Sequence, residues 1–313
     1  MANWTETQER MLGQEYEVRL AVVGLEPIRA AWTAGNVFET EAHRTIDRWG
    51  IGVRELVYDR NGRKWTFDPG YGIWYGGAAC TIISPKLTGA KEDTNLLGNL
   101  VRRLLEMGAR FYGRAGCGVH IYIESEYTPR TVRNLANIMA AHEELLRQSL
   151  TLSDWWSEKY GRAVDPHFVE ALRSEKPDTM RKVKEIWDRT TNADEERSWM
   201  KLQDSCYTLN VEPVFYRGAA EFRYYRQSNP GSDLRPAAAG LWMETLIRLS
   251  LAIHQAAKDS SRTSPMPVQT DNPKYAMRTW LMKLGFVGDE FSLNRRKLLK
   301  NLPGNGANRG AEA

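Results

Sequence analysis

Apolar and polar positions change period several times along the chain. Residues 12–23 alternate and then run apolar through Val18-Arg19-Leu20-Ala21-Val22-Val23, which predicts a strand. Residues 25–49 repeat at helical spacing, with Gly35 and Gly50 as stops. Two alternating runs around an Asn61-Gly62 turn predict a hairpin over 53–68. A third strand is expected near 78–84, closed by Ser84-Pro85. Leucines at 96, 97, 100, 104 and 105 mark an amphipathic helix over 94–108, stopped by Gly108. A strand through 118–124 follows. Thr128-Pro129 then opens a helix to about 149, with threonine as cap and proline in the first turn. Residues 152–200 read as short charged helices and loops. Strands return at 207–215 and 219–226 around Arg217-Gly218, and helices are expected over 233–258, 273–284 and 289–301.

Strand runs separated by long helices predict an α+β fold: an antiparallel or mixed sheet with helices packed on one face. One domain is expected over 12–302, with a mainly helical insertion near 150–200. The Gly-, Asn- and Ala-rich stretch 303–313 is expected to be a flexible tail. No GxxxxGKS/T occurs. The glycine-dense run Gly113 to Gly118 precedes a strand and does not open a helix, so a dinucleotide-binding strand-turn-helix is excluded.

Composition narrows the classes. In 313 residues, 42% are hydrophobic and 26% charged, a soluble globular balance. No apolar run is long enough for a membrane helix, and the N-terminus lacks a secretory pattern. Cys80, Cys117 and Cys206 form no CxxC and no paired framework, so reduced thiols in a cytoplasmic protein are expected. The net charge of +4 is spread along the chain. The densest basic run, Arg295 to Lys300, is interrupted by leucines, so it reads as the wet face of a helix and a nucleic-acid partner is not expected.

Candidate chemistry sits on three of the strands. In a strand, residues two apart share a face. Glu15 and Glu17 therefore project together, as do Glu221 and Arg223. Paired carboxylates suit hard cations, and an arginine beside one suits a phosphate. Taken alone, a Glu-x-Glu pair is more simply a solvated strand face, with Arg19 completing a Glu-Glu-Arg ladder. His120 follows glycines on an apolar strand, where a satisfied core histidine is the plainer alternative to a ligand. A same-face salt bridge is likewise the alternative for Glu221 and Arg223. Asp68, Ser84 and Asn210 lie at strand ends, where turn chemistry accounts for them too.

The order of these motifs resembles the amidoligase family, carboxylate-amine ligases distantly similar to glutamine synthetase. The family's Gly-x-Glu-x-Glu strand is matched by Gly13 to Glu17, and its Trp segment with Asp-Gly by Trp65 to Gly70. Thr81-Ile82-Ile83-Ser84-Pro85-Lys86-Leu87 matches Glu-Leu-Val-Ser-Pro-x-Leu, and Gly118-Val119-His120-Ile121-Tyr122 matches Gly-x-His-Val-His. Tyr207 to Asn210, Glu221-Phe222-Arg223 and Arg296 to Asn305 complete the series. Two positions depart from it: Thr81 stands for a glutamate and Tyr122 for the second histidine. Glu124 and Glu126 lie near enough in sequence to be considered as replacements.

The resemblance implies a fold like the glutamine synthetase catalytic domain. It implies ATP as cosubstrate and two Mg²⁺ or Mn²⁺ ions held by Glu15, Glu17, His120 and Glu221. Arg223 would be catalytic and, with Ser84 and Asn210, would bind the nucleotide. The implied reaction joins a carboxylate and an amine, small molecules or peptides, through an acyl phosphate. The alternative is a catalytically inactive relative that binds a ligand or partner.

Overall fold

The computed structural model describes residues 4–46, 53–69, 78–111, 118–151, 162–191, 207–224 and 234–307. The chain divides into two compact units. One comprises Glu15–Tyr122 and Tyr224–Ile247, and the other Met1–Gln14, Ile123–Arg223 and Arg248–Ala313.

The chain opens on a helix that its polar sequence did not announce, α1 (Trp4–Leu12). Met11 is buried, and the Gln8 amide donates to the carbonyls of Gly285 and Val287 at 2.8 and 3.0 Å. The predicted strand then begins at Glu15 as β1 (Glu15–Val23). It shares a sheet with β2 (Ala42–Ile46), β3 (Val53–Tyr58), β4 (Lys64–Pro69), β5 (Ala79–Ile83), the two-residue β6 (Leu87–Thr88) and β7 (Gly118–Glu124). The order is β2-β3-β4-β5-β1-β7, with β6 on β1. The pairs β2–β3, β3–β4, β4–β5, β1–β5 and β1–β6 are antiparallel.

One face of this sheet is apolar. Tyr16, Val18, Leu20 and Val22 alternate inward along β1, joined by Trp65, Phe67 and Ile82. Helix α2 (Pro27–Phe38) lies over β3, β4 and β5 and packs on α3 (Lys91–Glu106). Phe38 meets Trp65 at 5.1 Å between ring centroids. Burying each such side chain stabilises the fold by about 2–3 kcal/mol. The expected architecture, an antiparallel sheet with helices on one face, is therefore present in this unit.

The helix expected over 25–49 is corrected: it ends at Phe38, and residues 42–46 form β2. Glu39 adopts φ 58°, a left-handed conformation that ends the helix, and the Thr40 amide returns to the Gly35 carbonyl at 3.0 Å. The polar positions of 42–46 then pair with β3 as an exposed strand. Gly35 is no stop. It lies inside α2 because a Cβ there would stand 2.7 Å from the Thr40 carbonyl oxygen.

In the other unit, α4 (Pro129–Leu150) starts where expected, with Thr128 Oγ1 accepting the Thr131 amide at 3.2 Å. The charged stretch contains α5 (Pro166–Glu175) and α6 (Met180–Thr191). Residues 152–161 and 192–200 lie outside the described residues. The strand expected over 207–215 is only β8 (Leu209–Asn210), followed by the short α7 (Val214–Arg217). Pro213 has no amide to give a ladder, and Asn210 Oδ1 accepts the Glu212 amide at 3.1 Å, turning the chain. Next comes β9 (Ala219–Tyr224), antiparallel to β8; Tyr225 and Arg226 lie outside the described residues.

Helices α8 (Ala239–Asp259), α9 (Pro273–Lys283) and α10 (Ser292–Leu299) match the remaining expectations to within a few residues. At the crossing of α3 and α8, a Cβ on Gly98 would lie 2.8 Å from the Gly240 Cα. Past α10, the Lys274 amide donates to the Pro303 carbonyl at 3.1 Å and Asn272 Nδ2 to the Asn305 carbonyl at 3.0 Å. No helix among the described residues is long and apolar enough to cross a membrane.

Candidate functional site

The sheet face opposite α2 is the polar one, and period-two geometry builds it. Glu15, Glu17 and Arg19 alternate with the buried residues of β1 and are more accessible than they are. The register carries the face across neighbouring strands: Arg19 pairs with Ile83, Ala21 with Thr81, and Thr81 with Asp68. Directly opposed residues in antiparallel strands share a face, so Asp68 stands beside Thr81. On β7, His120 and Tyr122 are two apart and share a face. The Arg19 guanidinium lies 4.7 Å from the Tyr122 ring centroid, which puts that pair together with the β1 set.

Each carboxylate of this face has a protein cation beside it. Glu15, 58% exposed, lies 3.7 Å from Lys86 Nζ. Arg19 Nε donates to Glu17 Oε1 at 2.8 Å. Asp68 is 3.0 Å from Arg54 Nε. The solvated Glu-Glu-Arg ladder weighed from sequence is thus partly realised in the Glu17–Arg19 pair. Ser84 is buried at the end of β5. Its hydroxyl accepts the Val18 amide at 2.8 Å and donates to the Pro85 carbonyl at 2.7 Å, so it pins β1 to the turn. Burial pushes the Cys80 thiol up, which suits a packed residue and not a nucleophile. Cys117 and Cys206 lie outside the described residues.

The second set is built on β8 and β9. Asn210 and Glu221 are register partners, so their side chains meet. Asn210 Nδ2 donates to Glu221 Oε2 at 2.7 Å. Arg223 Nη2 donates to the same oxygen at 2.8 Å, and its Nε lies 2.8 Å from Oε1. The Glu221 side chain is 1% exposed. A carboxylate so buried needs partners, and the Asn210 amide and the Arg223 guanidinium face it. Sequence reasoning pairs Glu221 with Arg223 on one face, with a salt bridge as the alternative, and keeps Asn210 apart; the ion pair is present, and the hairpin adds Asn210 to it. Glu124, considered as a replacement ligand, lies 4.0 Å from Arg217.

Two further residues belong in the account. Arg19 was legible as the third polar position on β1, though not its seat on Tyr122. Glu143, on α4, had no sequence signal. Burial pushes its carboxyl up to about 7, although the Thr208 hydroxyl donates to both its oxygens at 3.0 and 3.1 Å and the Val164 amide donates as well. The Thr208 carbonyl in turn accepts the Arg223 amide at 2.8 Å.

Among the described residues, no three of His, Cys, Asp and Glu stand together as a metal-holding group. Glu15 and Glu17 share a strand face, and carboxylate oxygens are donors of the kind that hard cations such as Mg²⁺ or Mn²⁺ prefer. The corners at Thr81 and Tyr122 do not fit a second ion, because neither side chain supplies an anionic or imidazole donor.

No curated protein matches the chain. Among solved structures, a bifunctional glutathione synthetase from Pasteurella multocida is similar at a TM-score of 0.42 and 9% identity. The match covers 95% of this chain and 48% of that one, so the chain spans about half the length of that protein. The sequence profile of the family described as "putative amidoligase enzyme" matches residues 8–229, the part that carries β1, β7 and β9. The chain belongs to the amidoligase family.

Proposed function

We propose that this protein is an ATP-dependent carboxylate-amine ligase that forms an amide or isopeptide bond through an acyl phosphate. The observation that supports this reading is the buried Glu221–Arg223–Asn210 cluster, which lies within the residues 8–229 that the family profile matches. Glu221 holds the Arg223 guanidinium along one edge, and a guanidinium held in a fixed orientation is suited to stabilising charge on a phosphoryl group. The polar face of β1 supports the same reading. We also read the antiparallel sheet, helix-covered on one side, as a catalytic domain of the glutamine synthetase kind.

Glu15, Glu17, His120 and Glu221 are the residues that would hold Mg²⁺ or Mn²⁺. When bound, such an ion neutralises phosphate charge and orients the nucleotide. Arg223 stabilises charge on the phosphoryl group as the substrate carboxylate takes it, and Asn210 keeps Glu221 and Arg223 in register. An amine then displaces phosphate from the acyl carbon. The acid and the amine are small molecules or peptides.

The second reading is an inactive relative that still binds a ligand. Thr81 and Tyr122 favour it, as do the cations already seated on Glu17 and Asp68. Nucleotide turnover separates the two. The full chain with MgATP or MnATP and pooled carboxylic acids and amines should release ADP only when acid and amine are both present. Protein that binds nucleotide without turning it over would support the inactive relative. Protein that does not bind nucleotide at all would end the ligase reading.

A further inference from the structure

We propose that Arg19 replaces the second metal ion in this site. Its guanidinium, tied to Glu17 and laid on the Tyr122 ring, supplies fixed positive charge on the face where Thr81 and Tyr122 offer a second ion no carboxylate or imidazole donor. The proposal rests on the ligase reading above and concerns how many divalent ions that site takes.

Four observations carry it. A tyrosine side chain offers a divalent ion no carboxylate or imidazole donor, whereas its ring face attracts a cation. Arg19 sits on that face with its Cζ 4.7 Å from the ring centroid. Its Nε is held by Glu17 Oε1 at 2.8 Å, which fixes the plane of the guanidinium. The side chain is 36% exposed, so a ligand can reach it. A guanidinium remains charged at all working pH values and matches phosphate oxygens with its fork, and an arginine can supply charge in phosphoryl transfer.

The other missing donor is treated alike. Thr81 stands where a carboxylate is expected, and Asp68 lies directly across the register from it. That carboxylate is already matched by Arg54 at 3.0 Å. On this face, protein cations take the places beside the carboxylates.

The test is a Mn²⁺ titration of the full chain in saturating AMP-PNP, followed by electron paramagnetic resonance. One Mn²⁺ per chain, with no coupling between ions, is expected. Ions of a two-metal site lie about 3.5–4 Å apart and couple. Two coupled ions in the unmodified protein would overturn the proposal. The double variant Tyr122→His with Arg19→Gln returns an imidazole and removes the guanidinium; it should admit a second, coupled ion. If that variant does not fold, the stoichiometry of the unmodified protein still decides. Arg19→Lys, which keeps the charge without the fork, should weaken AMP-PNP binding about tenfold with the count still at one. Unchanged AMP-PNP affinity in Arg19→Lys would count against a phosphate-facing role. A protein that binds neither Mn²⁺ nor AMP-PNP would overturn the ligase reading as well, so the two failures look different.

Discussion

Arg223 and Glu221, two residues apart on β9, form a two-pronged ion pair, with Nη2 donating to Oε2 at 2.8 Å and Nε 2.8 Å from Oε1. Every residue of β9 is buried. Such a pair is costly to bury and costlier to break, because removing one partner strands the other charge.

Glu221→Ala should therefore destabilise the protein by about 3–5 kcal/mol. Glu221→Ala with Arg223→Ala together should cost less than the two single changes summed. Urea unfolding of the three variants measures the coupling. Additive losses would mean that the pair carries no special stability.

Gly98 is close-packed on Gly240 where α3 crosses α8, and a Cβ there would meet backbone at 2.8 Å. Gly98→Ala should lower stability by about 1–3 kcal/mol despite alanine's better helix propensity. A raised Tm in that variant would show that the helices separate freely.

Asp59 anchors the β3–β4 turn. It accepts the amides of Asn61 and Arg63 at 3.0 Å each, Arg63 Nε at 2.9 Å and Trp65 Nε1 at 3.2 Å. Asp59→Ala should cost about 2–4 kcal/mol, since it also strands part of the Arg63 charge. Hydrogen exchange at the β3–β4 amides should speed up beyond that global loss. Unchanged exchange would mean that the Asn61-Gly62 turn is sufficient alone.

Glu143 makes a pH prediction. Its carboxyl ordinarily titrates near 4.5 and is pushed up to about 7 by burial. Between those values the unfolded chain binds fewer protons than the folded one, so stability falls as pH rises through the window. The charges facing it from its own helix, Arg147 and Glu144, act in opposite directions. Glu143→Gln removes the titration and should gain up to about 3 kcal/mol over the unmodified protein at pH 8, with little gain at pH 4. Parallel stability curves for the two proteins between pH 4 and pH 8 would refute this origin.

The sequence made local periodicity legible and long-range contact illegible. Glu15 and Glu17 share a face because a strand has period two, and that could be read from β1 alone. Arg19 on Tyr122 could not be read, because it depends on β7 lying beside β1 although about a hundred residues separate them in the chain. Asp68 beside Thr81 is hidden for the same reason, since register sets it. The missed β2 shows another limit. Residues 42–46 become a strand because Glu39 takes a left-handed turn and β3 offers a ladder, and neither is encoded in apolar spacing. The over-long strand at 207–215 had a local warning in Pro213, which cannot donate to a ladder.

ADP release by the full chain is the most direct test of the central claim that this amidoligase family member is an ATP-dependent ligase. With MgATP or MnATP, release should require a carboxylic acid and an amine together. It should fall about a hundredfold or more in Glu221→Gln, with the fold retained by circular dichroism. Release that ignores acid and amine, or that Glu221→Gln leaves unchanged, would contradict the account.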